Sequence, residues 1–233
     1  MQPYFFPYIG YLSLIKQTDS MILLDEVQFI RHGWIERNRI LKPESGWQYI
    51  SVPLIKKSYT TTIKDTEINN SSDWKTKLVR QVEHYKKRAP FYRKTLAVLE
   101  DALNIETQSI TELNMHVLGS VCAYLGIQAN ISIFSHLNIQ IEPPSAPDEW
   151  ALNICKNIEG VSEYWNPIGG MEFFDKSKYL SANINLVFQK NHLPAYRQLK
   201  PNAEFEAGLS IIDVMMFNSP EDINVMLDNY ECL

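Results

Sequence analysis

The chain has 233 residues, of which 21% are charged and 45% hydrophobic, a composition typical of a folded protein with a sizeable core. Its formal net charge of -5 argues against broad nonspecific binding to a nucleic-acid backbone, which requires a basic face. No apolar run approaches the ~20 residues of a membrane span, and the N-terminus lacks the layout of a signal peptide. We therefore expect a cytoplasmic protein with no membrane span.

Cysteine and histidine usage gives no sign of a metal site. The three cysteines, at positions 122, 155 and 232, are too widely spaced for a disulfide framework or a zinc site. The five histidines contain no pair at ligand spacing, so we predict that the chain binds no metal. Cys155 falls inside a predicted helix with apolar neighbours, which favours an inert buried thiol over a nucleophile.

The first forty residues are the densest in rings, prolines and fixed charges. Pro3 and Pro7 restrict the backbone on either side of Phe5 and Phe6, which predicts a stiff, non-helical turn. A short helix is predicted from residue 9 to about 18, and a buried strand over residues 21–24. That strand ends on Asp25, and open α/β sheets bind ligands at the carboxyl ends of their strands. The stretch of residues 1–40 is therefore the site candidate.

The rest of the chain alternates between predicted strands and helices. Strands are predicted over residues 47–54, 131–135, 161–165 and 184–188, with a short extended piece at 60–63. Helices are predicted over residues 73–87, 90–103, 109–126, 148–160, 173–182 and 210–217. The sequence thus predicts one α/β domain spanning 1–233, with three layers, a mainly parallel Rossmann-like sheet and a helical insertion at about 71–126.

Basic residues crowd the middle of the chain, between positions 75 and 94. We interpret them as the solvated face of two helices. The alternative is a docking surface for a phosphate-bearing substrate, such as a nucleotide sugar or an RNA. The acidic residue in the helix at 210–217, Asp213, is explained most simply by the favourable helix dipole, although it could also serve the site.

The segments 2–11, 24–29 and 33–40, together with 164–170 and 209–213, resemble the WbqC-like protein family over nearly the whole chain. That family is found in bacterial gene clusters for O-antigen and other surface polysaccharides. The resemblance implies a transferase that modifies an amino-sugar precursor, with aminoacyl (glycyl) transfer as the expected reaction. In the family a short apolar strand usually precedes the Gln-Pro pair, whereas here Met1 precedes Gln2 directly. The first strand is thus absent or truncated, or the start of the chain is assigned incorrectly.

A more distant similarity is to the nucleotidyltransferase fold, whose members carry a His-x-Gly-His turn between the first strand and the first helix. Tyr8-Ile9-Gly10-Tyr11 has the same spacing, with tyrosine at both histidine positions. The resemblance implies a related fold and, as an alternative function, an ATP-using adenylate-forming enzyme. A neutral phenol is a poorer stabiliser of a transferring phosphate than histidine, which argues against assuming the same chemistry. A non-catalytic ligand-binding protein is the third alternative.

The candidate site residues follow from the chemistry of amide formation, which requires a base and a positioned acyl donor. Asp25 is the predicted base, and Arg37 is predicted to bind a carboxylate or phosphate. The simpler alternative is that Asp25 pairs with Arg37 inside the domain and the rings only pack. Expected ligands are ATP or a nucleotide-linked sugar, with an aminoacyl donor. The predicted substrate-binding residues are Gln2, Tyr8, Tyr11, Gln28, Trp34, Asn38, Arg39, Tyr164, Gly169 and Gly170.

Overall fold

The computed structural model describes residues 1–56, 58–199 and 204–233, and in these residues the chain is mixed α/β. Their strands are β1 (Met21–Leu23), β2 (Arg37–Leu41), β3 (Trp47–Ser51), β4 (Ile131–Ile133), β5 (Glu163–Pro167), β6 (Asn185–Asn191) and β7 (Tyr230–Cys232). Their helices are α1 (Ile9–Gln17), α2 (Trp74–Gln81), α3 (Tyr92–Leu103), α4 (Ile110–Leu125), α5 (Glu149–Lys156), α6 (Lys176–Ser181), α7 (Ile211–Phe217) and α8 (Pro220–Leu227).

The strands pair in three small sheets. β1 pairs with β4 in parallel, with Met21 opposite Ile131. β5 pairs with β6 in parallel, and β7 adds to the far side of β6 in the antiparallel direction. β2 and β3 form an antiparallel hairpin. The prediction of an α/β chain with parallel strands is confirmed, whereas a three-layer Rossmann-like arrangement is not confirmed by these pairings.

The predicted helices are present, with shifted ends. The Ser109 Oγ accepts a hydrogen bond from the Glu112 N–H at the start of α4, and Gly126 ends the helix with φ of 70°. The helix predicted over 73–87 is divided, because α2 ends at Gln81 and a 3₁₀ turn, Glu83–Lys87, follows it. The extended piece at 60–63 forms only an isolated bridge, between Thr62 and Gln28.

The sequence reasoning missed three elements: β2, α8 and β7. β2 carries Arg37, Asn38 and Arg39 and lies against β3. Helix α8 begins with a full capping box, in which the Ser219 and Asp222 side chains bond each other's backbone N–H. The Ser-Pro-Glu-Asp sequence at 219–222 is the signal that could have identified it.

Most buried apolar side chains form one cluster that joins α1, α3, α4, α7 and α8 to β2 and β3. A smaller cluster around Tyr179 and Phe188 lies between α5, α6 and β6. α1 contacts both β5 and β6, so it connects the two groups of elements. None of the helices in the described residues is both long and apolar enough to cross a membrane.

Candidate functional site

The chain from Gln2 to Tyr8, here called the aromatic-proline turn, is held in an unusual conformation. Phe5 and Phe6 are both fully buried, and Phe6 has φ of 40°, in the left-handed region that non-glycine residues rarely adopt. The Asn38 Nδ2 donates to the Phe5 and Phe6 carbonyl oxygens at 3.0 and 2.9 Å. The surrounding structure therefore imposes this conformation, as is typical of binding and catalytic sites.

Two further buried side chains, both missed by the sequence reasoning, hold the same turn from remote elements. The Asn114 Nδ2, on α4, donates to the carbonyl oxygens of Pro3 and Ile35. The Ser210 Oγ, at the N-cap of α7, donates to the Phe6 carbonyl oxygen at 2.7 Å. Because these contacts join residues 79 to 204 positions apart, no local sequence pattern could have identified them.

A cavity of about 1690 Å³ opens beside the aromatic-proline turn. One part of its lining, here called the slot, includes Met1, Leu14, Met21, Ile22, Leu24, Ile154, Ile158, Glu163 and Trp165. A second part, here called the mouth, includes Tyr4, Tyr8, Glu26, Gln28, Trp34, Asn38, Arg39, Asn166, Gly169, Gly170, Phe173 and Gly208. The mouth is thus polar and aromatic, and the slot is mostly apolar.

Arg39 is the main cationic group of the mouth. Its guanidinium carbon lies 5.3 Å from the Trp34 ring centroid and 5.1 Å from that of Trp47, both within cation–π range. Its Nη2 donates to the Gly208 carbonyl oxygen at 3.0 Å, and its Nε is buried without a hydrogen-bond partner among the described residues. No carboxylate in the described parts of the chain forms an ion pair with it, so its charge is available to an anion.

The two predicted catalytic residues lie outside the cavity lining. Asp25 is 1% exposed, and its two carboxylate oxygens accept from the Ser135 N–H and Oγ–H at 3.0 and 2.6 Å. The Arg37 guanidinium stacks on the Tyr49 ring at 3.9 Å and donates to the His32 carbonyl oxygen. Asp25 and Arg37 do not pair with each other, so the simple ion-pair alternative is not what the structure contains.

The acid that does reach the mouth next to β1 is Glu26, one residue after Asp25. Its carboxylate accepts from the Lys64 ammonium at 2.6 Å, and both side chains are partly exposed to solvent. An exposed ion pair of this kind contributes little to stability and exchanges readily with water or a ligand. Glu26 is therefore more accessible to a substrate than Asp25.

The tyrosines of the Tyr8-Ile9-Gly10-Tyr11 turn have different surroundings. Tyr8 lines the mouth, and its ring lies so close to Gly10 that a Cβ there would be 2.4 Å from the Tyr8 Cε2. Tyr11 is fully buried, and its hydroxyl donates to the Gln2 carbonyl oxygen at 2.8 Å. Burial raises the pKa of both phenols, so both are neutral at physiological pH. Only Tyr8 can contact a ligand directly.

The end of β5 forms the opposite wall of the mouth. The Tyr164 ring stacks on that of Tyr179, and its hydroxyl accepts from the Asn166 Nδ2 at 2.8 Å. Gly170 is needed here, because a Cβ would lie 2.6 Å from the Asn166 Oδ1. At Gly169 a Cβ would meet nothing within 4 Å. The structure thus brings Gln2, Tyr8, Gln28, Trp34, Asn38, Arg39, Tyr164, Gly169 and Gly170 to the cavity, but not Tyr11.

Asp213 is fully buried, as part of a network that the sequence reasoning did not anticipate. Its carboxylate accepts from the hydroxyls of Tyr85 and Tyr196, each at 2.6 Å, and from the Gln198 Nε2 at 3.4 Å. Burial raises its pKa to about 6, although these hydrogen bonds oppose the shift. The network fixes segment 196–198 against α7, rather than placing an acid in the cavity.

Cys155 contributes to the slot, but its thiol is unsuited to nucleophilic attack. It lies near the end of α5 and is partly buried. Burial raises its pKa to about 11, so only about one thiol in ten thousand is ionised at neutral pH. This agrees with the sequence interpretation of an inert thiol.

The sequence of this chain matches a known protein family. The model of the WbqC-like protein family matches residues 2–225, which include every element of the mouth. The chain belongs to the WbqC-like protein family. Among curated proteins, this WbqC-like chain is 27% identical over 221 residues to the uncharacterized protein Rv1507c of Mycobacterium tuberculosis, an alignment that covers 94% of the chain and 91% of the relative. No solved structure matches it.

Proposed function

We propose that the protein is a transferase that modifies an amino-sugar precursor of O-antigen or another surface polysaccharide, and that the transferred group is an aminoacyl residue such as glycyl. The mouth binds the nucleotide-linked sugar and the slot does not. Support for the reaction class comes from the family resemblance, and support for the ligand class comes from the residues of the mouth.

The observation that carries the ligand class is the unpaired charge of Arg39. A guanidinium binds a phosphate or carboxylate through parallel hydrogen bonds, and it does so best where no protein carboxylate competes. Arg39 meets this condition among the described residues and lies in the cavity lining. Its stacking near Trp34 and Trp47 holds the planar group in place, so less side-chain entropy is lost when an anion binds.

The rings of the mouth suit a ligand with a flat or ring-shaped part. Trp34 is 37% exposed, so its face can accept a base or sugar, and Tyr4 and Tyr8 border the same space. A nucleotide-linked sugar has both a ring-bearing part for these side chains and an anionic part for Arg39.

In aminoacyl transfer the amine nitrogen of the sugar attacks the carbonyl carbon of an activated aminoacyl donor, and the C–N bond forms as the bond from that carbon to the donor's leaving group breaks. The leaving group departs with the bonding electron pair, and a base removes one proton from the attacking nitrogen. We propose that Glu26 is this base, because it is the carboxylate at the end of β1 that lines the mouth. Asp25 then acts as a positioning residue: its bonds to Ser135 fix the end of β1 and so the place of Glu26. Arg37 supports the mouth indirectly, through Tyr49 and the His32 carbonyl.

The adenylate-forming alternative uses the same mouth and is favoured by the parallel pairs β1–β4 and β5–β6 and by helix α1, which starts at Ile9. It is weakened by Tyr11, since that residue occupies the second histidine position and has its hydroxyl committed to Gln2. In this alternative, ATP would yield AMP or pyrophosphate. The non-catalytic alternative predicts binding without turnover.

The test is to incubate the protein with amino-sugar nucleotides, ATP and amino acids and to measure the mass of the sugar product. A gain of one aminoacyl residue supports the proposal, and a Glu26→Gln variant should lose most of that activity. Asp25→Asn should retain the pH profile of the wild type while its turnover number falls, because a positioning residue does not itself titrate in the reaction.

A matched control for both variants is Glu221→Gln, a carboxylate at the start of α8 that does not line the cavity. If AMP or pyrophosphate appears instead of an aminoacylated sugar, the adenylate-forming alternative is correct. If Glu26→Gln leaves the rate unchanged, Glu26 is not the base. If no condition gives turnover while ligands still bind, the protein is a binding module.

A further inference from the structure

Arg39 is held at the mouth by backbone from a distant part of the chain. Its Nη2 donates to the Gly208 carbonyl oxygen at 3.0 Å, and its own carbonyl oxygen accepts from the Ser210 N–H at 2.8 Å. Gly208 has φ of 65°, a left-handed conformation that favours glycine. The direction of the Arg39 guanidinium therefore depends on where the backbone at Gly208 lies.

The backbone that leads to Gly208 is held by one amide side chain. Residues 204–209 form neither helix nor strand, so regular backbone pairing does not position them. The Gln198 Nε2 donates to the Glu206 carbonyl oxygen at 2.9 Å, and the Gln198 Oε1 accepts from the Glu206 N–H at 3.0 Å. An amide that pairs with both backbone groups of one residue fixes that residue in place.

The Asp213 carboxylate determines which way the Gln198 amide points. Its Oδ2 accepts from the Gln198 Nε2 at 3.4 Å and from the Tyr196 hydroxyl at 2.6 Å. Its Oδ1 accepts from the Tyr85 hydroxyl, which in turn accepts from the Leu41 N–H at the end of β2. Because an ionised carboxylate only accepts hydrogen bonds, the Gln198 Nε2 faces it and the Oε1 faces the opposite way.

We propose that Tyr196, Gln198 and Asp213 are positioning residues for anion binding by Arg39. This rests on the proposed function and names the residues that set the anion affinity of the same site. None of the three lines the cavity, so they act through the backbone that carries Gly208 and do not touch the ligand. A binding group holds its productive geometry only when hydrogen bonds behind it are fixed, and these contacts supply them for Arg39.

The first test measures the position of Arg39 without a ligand, by nuclear magnetic resonance. The Arg39 Nε–H is buried, so its resonance is protected from exchange with water, and it is assigned by its absence in Arg39→Met. We expect Tyr196→Phe, which removes the hydroxyl and keeps the ring, and Gln198→Met to shift this resonance. Tyr124→Phe is the matched control, because its hydroxyl has no hydrogen-bond partner among the described residues.

The second test measures the dissociation constant for UDP by calorimetry, with thermal midpoints to show that each variant folds. We expect Tyr196→Phe and Gln198→Met each to weaken UDP binding about fivefold, and Tyr124→Phe to match the wild type. The double variant Arg39→Met/Tyr196→Phe should bind UDP as weakly as Arg39→Met alone, because Tyr196 acts through Arg39. A purely structural role for Tyr196 would add its own loss.

An unchanged Arg39 resonance in both variants would overturn the proposal, and so would additive losses in the double variant. If Arg39→Met weakens UDP binding while Tyr196→Phe and Gln198→Met bind UDP like the wild type, the positioning role is wrong and the proposed function stands. If Arg39→Met itself binds UDP like the wild type, the proposed ligand class is wrong, and the positioning role is wrong with it.

Discussion

The mouth and the slot belong to one cavity, but they are built in different ways. In the mouth, side chains provide the surface: Arg39, Trp34 and Tyr8 meet the open space. In the slot, apolar side chains such as Leu14 of α1 and Ile154 of α5 provide much of it. A surface of rings and an unpaired cation suits a small anionic ligand, whereas a mostly apolar surface does not.

The mouth is also the part of the cavity where side chains from remote elements hold the backbone. Its aromatic-proline turn is held by side-chain amides and a hydroxyl from three remote elements, β2, α4 and α7. A conformation with φ of 40° at Phe6 persists because these bonds outweigh its cost of roughly 1–3 kcal/mol. Binding geometry at the mouth thus depends on buried polar contacts more than on its exposed residues.

The largest expected effect follows from removing one of those contacts. Asn38→Ala deletes the donor to the Phe5 and Phe6 carbonyls and the acceptor of the Arg39 N–H, leaving buried groups unpaired. We expect a loss of about 3 kcal/mol in the free energy of unfolding, measured by urea denaturation. Asn229→Ala, which removes one exposed bond to the His192 carbonyl, should cost less than about 1 kcal/mol. Equal losses would show that the turn is not held in this way.

The next effect is a pH dependence that comes from Asp213. Its pKa is raised from 3.8 to about 6 in the folded protein, so folding favours the protonated form. The resulting stabilisation is fully present below about pH 4 and is lost as the pH rises through 6. Between pH 7.5 and 4 the wild type should gain roughly 2 kcal/mol relative to Asp213→Asn, in unfolding experiments on both proteins. A difference that does not change with pH would contradict the buried network.

A smaller effect distinguishes the two glycines of the mouth wall. At Gly170 an added methyl group would lie 2.6 Å from the Asn166 Oδ1, so that side chain has to move from its bond with Tyr164. Gly170→Ala should cost about 1 kcal/mol in unfolding free energy, and Gly169→Ala should stay within about 0.5 kcal/mol, since open space surrounds that position. If Gly169→Ala is the more harmful change, the wall is packed differently from the structure.

The sequence predicted local elements well and remote contacts poorly. α1 follows from helical spacing, and α4 from spacing together with its caps, which are local properties. β2 was missed because Arg37, Asn38 and Arg39 are polar, and a strand with such residues is stable here through its hairpin with β3 and its contacts to the turn. The surroundings of Asp25 could not be predicted from its neighbours in sequence. Its carboxylate accepts hydrogen bonds from Ser135, which lies 110 positions further along the chain. The expected single sheet depends on pairings that no local pattern specifies.

We propose that Arg39 makes the mouth an anion-binding site for a nucleotide-linked sugar. Isothermal titration calorimetry with UDP-linked amino sugars tests it directly on the wild type, Arg39→Met and the control Arg93→Met, which changes an exposed arginine of α3. We expect Arg39→Met to weaken binding at least about tenfold, because a charge-assisted bond is lost, and Arg93→Met to match the wild type. Equal affinity in all three proteins would contradict the account.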